Sequence, residues 1–138
     1  MSPAQECTAD RERVLAVLGT WAYATRAGRR DEVLANHAPD AVIFDVLPPM
    51  AYESAAAYRA GWDEWQPETQ GEGIFQLESL SIACGDDVAF AYGFIRCGGT
   101  LPDGTTFEDL VRGTFCLQKI DGDWQIVHQH ISKPLDHT

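Results

Sequence analysis

Apolar residues recur at helical spacing between Thr8 and Ala27. Val14, Leu15, Val17, Leu18 and Trp21, with Ala22 or Thr25 at the edge, form one stripe. Thr8 is placed to cap this helix, with Arg11 where a capping box would carry Glu, and Gly28 is placed to end it. A short second helix covers about 30–36. The β-branched and aromatic run "AVIFDVL" (41–47) predicts a strand stopped by Pro48-Pro49. Ser54 caps a third helix reaching about Trp65, with Tyr58, Trp62 and Trp65 at i, i+4 and i+7 on one face.

Beyond this point the period changes from helix to strand. "GIFQLESLSIAC" (73–84) and "VAFAYGFIRC" (88–97) flank the turn signal Gly85-Asp86-Asp87. "TFEDLVRGTFCLQK" (106–119) and "DWQIVHQHIS" (123–132) meet at Asp121-Gly122, and "GGTLPDGT" (98–105) reads as a loop. Helices gathered in the first half and strands in the second indicate an α+β fold. An antiparallel sheet of this kind is stable when its apolar face curls around the helices.

The 138 residues suit one domain, 1–138, large enough to bury a core. A hydrophobic content of 45% with 22% charged residues argues against disorder. The net charge of −11 disfavours nucleic acid and anionic membrane as partners. No apolar run approaches membrane-spanning length, and "MSPAQECTADRERV" lacks the basic-then-apolar order of a signal peptide. Cys7, Cys84, Cys97 and Cys116 are scattered without C-x-x-C spacing, so neither zinc nor a disulfide framework is expected, and a cytoplasmic location is. No glycine-rich loop leads from a strand into a helix, so no nucleotide or flavin cofactor is expected either.

The element order, together with "HAPDAVIFDVLPP" and "KIDGDWQIVHQHISKP", resembles the nuclear transport factor 2-like superfamily. That group includes ketosteroid isomerase, the SnoaL-like polyketide cyclases and the association domain of calcium/calmodulin-dependent protein kinase. The likeness spans nearly the whole chain and implies a cone: a strongly curved antiparallel sheet closed by three helices around a deep pocket, commonly dimeric. The superfamily holds isomerases, cyclases, dehydratases and non-catalytic scaffolds, so fold alone does not decide function.

His128 and His130 depend on strand register. Unbroken alternation puts them on one face with Trp124 and Ile126, and Val127, Gln129 and Ile131 on the other. On the preceding strand Val111, Phe115 and Leu117 form the core side, opposite Arg112, Thr114, Cys116 and Gln118. A two-residue Asp121-Gly122 turn puts Phe115 on the histidine side. A three-residue loop, 120–122, pairs Phe115 with Val127 instead. The resemblance favours the longer loop. Arg112, Trp124, His128 and His130 then lie on the outer sheet face that relatives use for dimerisation, rather than forming a metal site, which would need further ligands. With the other register, Arg112, His128 and His130 would join Asp45 in a charged pocket suited to anions.

Asp45 is the one charged residue in an apolar strand, and a buried carboxylate either finds a partner or titrates high. The resemblance aligns it with the isomerase's catalytic aspartate, a general base acting next to a carbonyl. The isomerase's helix-1 tyrosine is matched by Trp21, and its second acidic donor has no clear counterpart, with Asp109 lying only toward the strand start. Pocket arginines of the association domain are matched by Phe94, Phe115 and Ile131. With Tyr58, Trp62, Tyr92 and Gln129 these describe a largely apolar pocket for a small molecule. The competing interpretation packs the same aromatics as core. The expectation is therefore a small-molecule-binding protein, in its catalytic form a cofactor-free isomerase, cyclase or dehydratase. The alternative is a non-catalytic dimeric binding or oligomerisation module.

Overall fold

The computed structural model describes residues 3–65 and 73–135, with side chains at 8–61 and 73–135. Helix α1 (Pro3–Ala27) is followed by α2 (Arg30–Val33), strand β1 (His37–Phe44), helix α3 (Ala55–Trp65) and strands β2 (Ile74–Cys84), β3 (Val88–Thr100), β4 (Thr106–Ile120) and β5 (Asp123–Ser132). The expected α+β order stands. Helix α1 begins before Thr8, which therefore lies inside the helix and not at its cap. Gly28 ends it at φ +72°, a left-handed conformation that suits glycine. Ser54 does cap α3: its Oγ accepts from Ala57 N–H at 3.0 Å.

One open five-stranded sheet runs β1-β5-β4-β3-β2. Consecutive strands from β2 to β5 pair antiparallel, but β1 pairs parallel to β5, so the sheet is mixed and not wholly antiparallel. Strand β1 starts at His37 and ends at Phe44, so Asp45 sits just past the strand rather than within it. Strand β3 extends to Thr100, shortening the expected 98–105 loop to 101–105.

Helix α1 lies across the inner sheet face, packing on β2 and β5. Val14, Leu18, Trp21, Ala22 and Ala24 are buried, while Leu15, at 49% exposed, leaves the predicted stripe. Their partners across the sheet are Ala91, Ile95, Val111, Phe115, Leu117, Trp124, Ile126 and Ile131. The Trp21 ring meets Phe75 and Phe115 edge-on, each at 5.1 Å between centroids.

The β4–β5 connection corrects the expected register. Ile120 pairs with Asp123, so the turn is the two-residue Asp121-Gly122, with φ +52° and +85°. Both central residues at positive φ make this the hairpin turn whose twist matches its strands. A bulge then intervenes: Leu117 pairs with Ile126 and Cys116 with His128, leaving Val127 as the extra residue. Trp124 and Ile126 before the bulge, and Gln129 and Ile131 after it, are all buried on the same inner face. His128 and His130 face outward as expected, although by a bulge and not by a longer loop, and Phe115 pairs with Gln129 instead of Val127.

Trp124 is consequently not a member of the outer face. It is 4% exposed, and its Nε1–H donates to Asp10 Oδ1 at 3.2 Å. Lys119 Nζ reaches the other carboxylate oxygen at 3.2 Å, and its ammonium lies over the Trp124 ring. Asp10 thus pins the first half of α1 to the β4–β5 hairpin. Asp10→Ala leaves the buried indole donor without an acceptor and is expected to lower unfolding free energy by about 1–3 kcal/mol. Urea denaturation checks this, and an unchanged midpoint would remove the pin from the account of stability.

Candidate functional site

Immediately after Phe44 the chain leaves the sheet, loops through Pro48-Pro49 and comes back at Tyr52. There Ile43 and Tyr52 exchange backbone hydrogen bonds of 2.9 and 2.8 Å. This return holds Asp45 at the sheet's edge. Val46 N–H donates to Asp45 Oδ1 at 2.7 Å, and the Tyr58 hydroxyl on α3 donates to Oδ2 at 2.9 Å. Tyr58 and Tyr52 are both 5% exposed and meet edge-on at 5.1 Å, packing with Ile43 as a small core of their own. Gly61 on α3 is required by this packing, since a Cβ there would stand 2.6 Å from the Tyr52 ring. Val46 and Leu47, predicted within the strand, are exposed.

Burial pushes the Asp45 carboxyl above its ordinary value, and the hydrogen bonds from Val46 and Tyr58 only partly offset this. Tyr58 is driven well up by burial, by the Asp45 charge and by the hydrogen bond it donates. Asp45 therefore holds a proton more readily than a free carboxyl, while Tyr58 remains the hydrogen-bond donor of the pair. Cys97, on the inner side of β3, pairs with Asp109 on β4, and its thiol is raised by burial first and then by the Asp109 and Asp45 charges. Asp109 is committed to Lys133 Nζ at 2.6 Å and to Leu110 N–H at 2.9 Å, which hold it low.

The remaining site residues separate into three groups. Ile131, 8% exposed, lies level with Asp45 because Phe44 pairs with the preceding His130. Trp21, Phe115 and Gln129 lie deeper on the same inner side, at 4%, 1% and 0% exposure. Tyr92 and Phe94 belong elsewhere: they pair with Thr114 and Arg112, stand 52% and 45% exposed, and point from the outer face. Their assignment to the pocket is corrected by strand parity. Trp62 is on α3, with its side chain outside the described residues.

Sequence reasoning missed His37. It falls in the gap between the expected second helix and the expected strand, yet it opens β1, is 7% exposed, and its Nε2 lies 2.7 Å from Gln129 Oε1. The signal was available in "NHAPDAV", a histidine followed by an apolar strand. Burial holds its imidazole below the ordinary range, only partly opposed by the Gln129 contact.

On the outer face His128 donates from Nδ1–H to the Val42 carbonyl at 2.7 Å. Both outward histidines pack edge-on against Phe44. They are not joined by a third ligand; among the described residues no group of three or more His, Cys, Asp or Glu could hold a metal ion. No helix among those residues is long and apolar enough to cross a membrane.

The SnoaL-like domain family model matches residues 14–136. Among solved structures, an NTF2-like protein of unknown function from Pseudomonas putida superposes with a TM-score of 0.83 at 28% identity, over 94% of this chain and 89% of that one. A putative calcium/calmodulin dependent protein kinase II association domain from Xanthomonas campestris gives 0.74 at 23% identity, over 90% and 87%. A ketosteroid isomerase-like protein from Erwinia carotovora atroseptica gives 0.74 at 16%, over 91% and 96%. The last two likenesses speak to fold alone. No curated protein matches.

The raised Asp45 carboxyl carries a stability signature. It binds its proton more tightly folded than unfolded, so its contribution is full below the unfolded value near 3.8 and is lost as pH rises through the folded one. Asp45→Asn is therefore expected to hold or raise the melting temperature at pH 7.5, with the gain shrinking as pH falls toward about 4. Thermal melts across that range test it. A clear drop at pH 7.5 would make Asp45 a structural anchor instead.

Proposed function

The chain belongs to the SnoaL-like domain family, and we propose that it binds a small, mostly apolar molecule and acts on it with Asp45 as general base. The supporting observation is the Asp45–Tyr58 pair: a half-buried carboxylate held at 2.9 Å by a phenol, beside an apolar interior, with its proton affinity raised. Holding the base so that one lone pair remains toward the substrate is what proton abstraction from carbon requires.

In this reading Asp45 takes a proton from the carbon next to a carbonyl. The C–H bond breaks, a carboxyl O–H forms, and the electron pair moves onto the carbonyl oxygen as an enolate. Where a C=C adjoins, returning the proton at its far carbon completes an isomerisation; alternatively the enolate carbon attacks a second carbonyl, closing the ring, and the alkoxide formed takes the proton back from Asp45. Tyr58 steadies the carboxylate through both halves, and Ile131 supplies apolar wall at the same level. The family supports cofactor-free chemistry of this kind, and nothing in the step needs an oxidant or a metal. Exchange of α-deuterium in a bicyclic ketone such as 2-tetralone, followed by NMR, tests the assignment. Asp45→Asn is expected to slow exchange by about 10²–10⁴-fold, and equal rates in both proteins would overturn it.

A second reading rests on the opposite side of the sheet. Val88, Phe90, Tyr92, Phe94 and Leu110 are each more than two-fifths exposed, and Phe90 stacks on Tyr92 at 6.3 Å. With Val42, Phe44, Arg112, His128 and His130 beside them, they make a continuous face too apolar to suit a solvated sheet surface. A second copy of the chain packed on it makes a homodimer and leaves the Asp45 side open. The Phe90→Ser, Tyr92→Lys double variant is expected to sediment as a monomer where the parent sediments as a dimer. Parent protein sedimenting as a monomer would remove this interface.

A further inference from the structure

His37 and Gln129 form a polar pair within the apolar interior that the Asp45 chemistry leaves unused. Their contact spends one polar atom of each. His37 Nδ1 and Gln129 Nε2 are buried with no hydrogen-bond partner among the described residues. Such groups are expensive to bury unpaired, so their retention calls for a counterpart.

Hydrogen-bond chemistry limits what that counterpart is. If the amide oxygen accepts from His37 Nε2–H, the ring offers a bare Nδ1 acceptor and the amide a free N–H donor. With the amide turned round, the ring offers Nδ1–H as donor and the amide its oxygen as acceptor. Either arrangement leaves one donor and one acceptor. A ketone, a carboxylate or an ammonium satisfies only half of this. A hydroxyl satisfies both, because it donates and accepts at one atom.

The position of the pair is informative as well. Ile43 pairs with Gln129 and Phe44 with His130, which puts Asp45 level with Ile131. Gln129 is the next inward-facing residue below, ~7 Å deeper by strand rise. We infer that His37 and Gln129 are a hydroxyl-recognition point beneath the Asp45 level, selecting apolar ligands that carry a neutral alcohol, phenol or enol. This rests on the reading of the interior as a small-molecule site. At 7% and 0% exposure the pair is covered, so a ligand hydroxyl reaches it by parting the side chains above, Ile131 among them. A buried water offers the same chemistry, and the test separates the two.

The probes are 2-naphthol and naphthalene, titrated calorimetrically into the parent protein and into a His37→Phe, Gln129→Met double variant. Replacing both partners together leaves neither one unpaired, so the double variant is expected to fold. The parent is expected to bind 2-naphthol about tenfold more tightly than naphthalene. In the double variant the preference disappears while naphthalene affinity is kept. Equal affinities in the parent would overturn the inference and assign the pair to water. A preference surviving in the double variant would overturn it too, placing hydroxyl recognition elsewhere. Binding of neither probe to the parent would sink the small-molecule reading and this inference with it, an outcome distinct from binding without preference.

Discussion

One extra residue decides what the interior of this protein is made of. Strand alternation sends neighbouring side chains to opposite faces, so an uninterrupted β5 could bury Trp124 and Ile126 or Gln129 and Ile131, but never both sets. Val127 resolves the conflict by standing outside the pairing. The N-terminal half of β5 can then anchor α1 through Trp124 and Asp10, while its C-terminal half supplies Gln129 and Ile131 to the interior. His128 and His130 go outward as a by-product. The stability anchor and the candidate site share one strand because that strand changes phase in the middle.

Inside, the polar groups are few and unevenly placed. Deep in the core Trp21, Phe75 and Phe115 interlock edge-to-face, which fills space without asking for hydrogen bonds. Among the described residues, the buried polar groups other than the Asp10 anchor lie in the neighbourhood of β1. Asp45 and Tyr58 satisfy each other at its end, and His37 meets Gln129 at its start. Strand β1 and its ends therefore carry both of these polar pairs. Its ladder with β5 is irregular between His37 and Val42, which lets two residues five apart on β1 face partners only two apart on β5.

Much of this was legible in the sequence. Element order, the Ser54 cap, the glycine stop of α1 and the isolation of Asp45 follow from local pattern and turn chemistry. What failed was parity. Trp124 was assigned outward because alternation was carried unbroken through a bulge that leaves no glycine or proline to mark it. Phe94 is read inward on a likeness of spacing and Tyr92 as aromatic lining beside it, although Ala91 and Ile95 on the same strand hold that face. The outward direction of the histidines was right for a mistaken reason, a longer loop standing in for a short turn plus a bulge. His37 was lost because the strand was started four residues late.

The parallel contact between β1 and β5 has a consequence for the order of assembly. Residues 37–44 can find their neighbour only after 123–132 exist, so some eighty positions of chain must be made in between. Local hairpins from β2 to β5 close over short distances, whereas this contact carries the longest loop in the sheet. As the chain emerges during synthesis, the edge bearing His37 and leading to Asp45 waits unpaired until the last strand arrives. The His37–Gln129 contact and the sheet edge that carries Asp45 are thus withheld from every incomplete chain, and their completion reports that translation of β5 is finished.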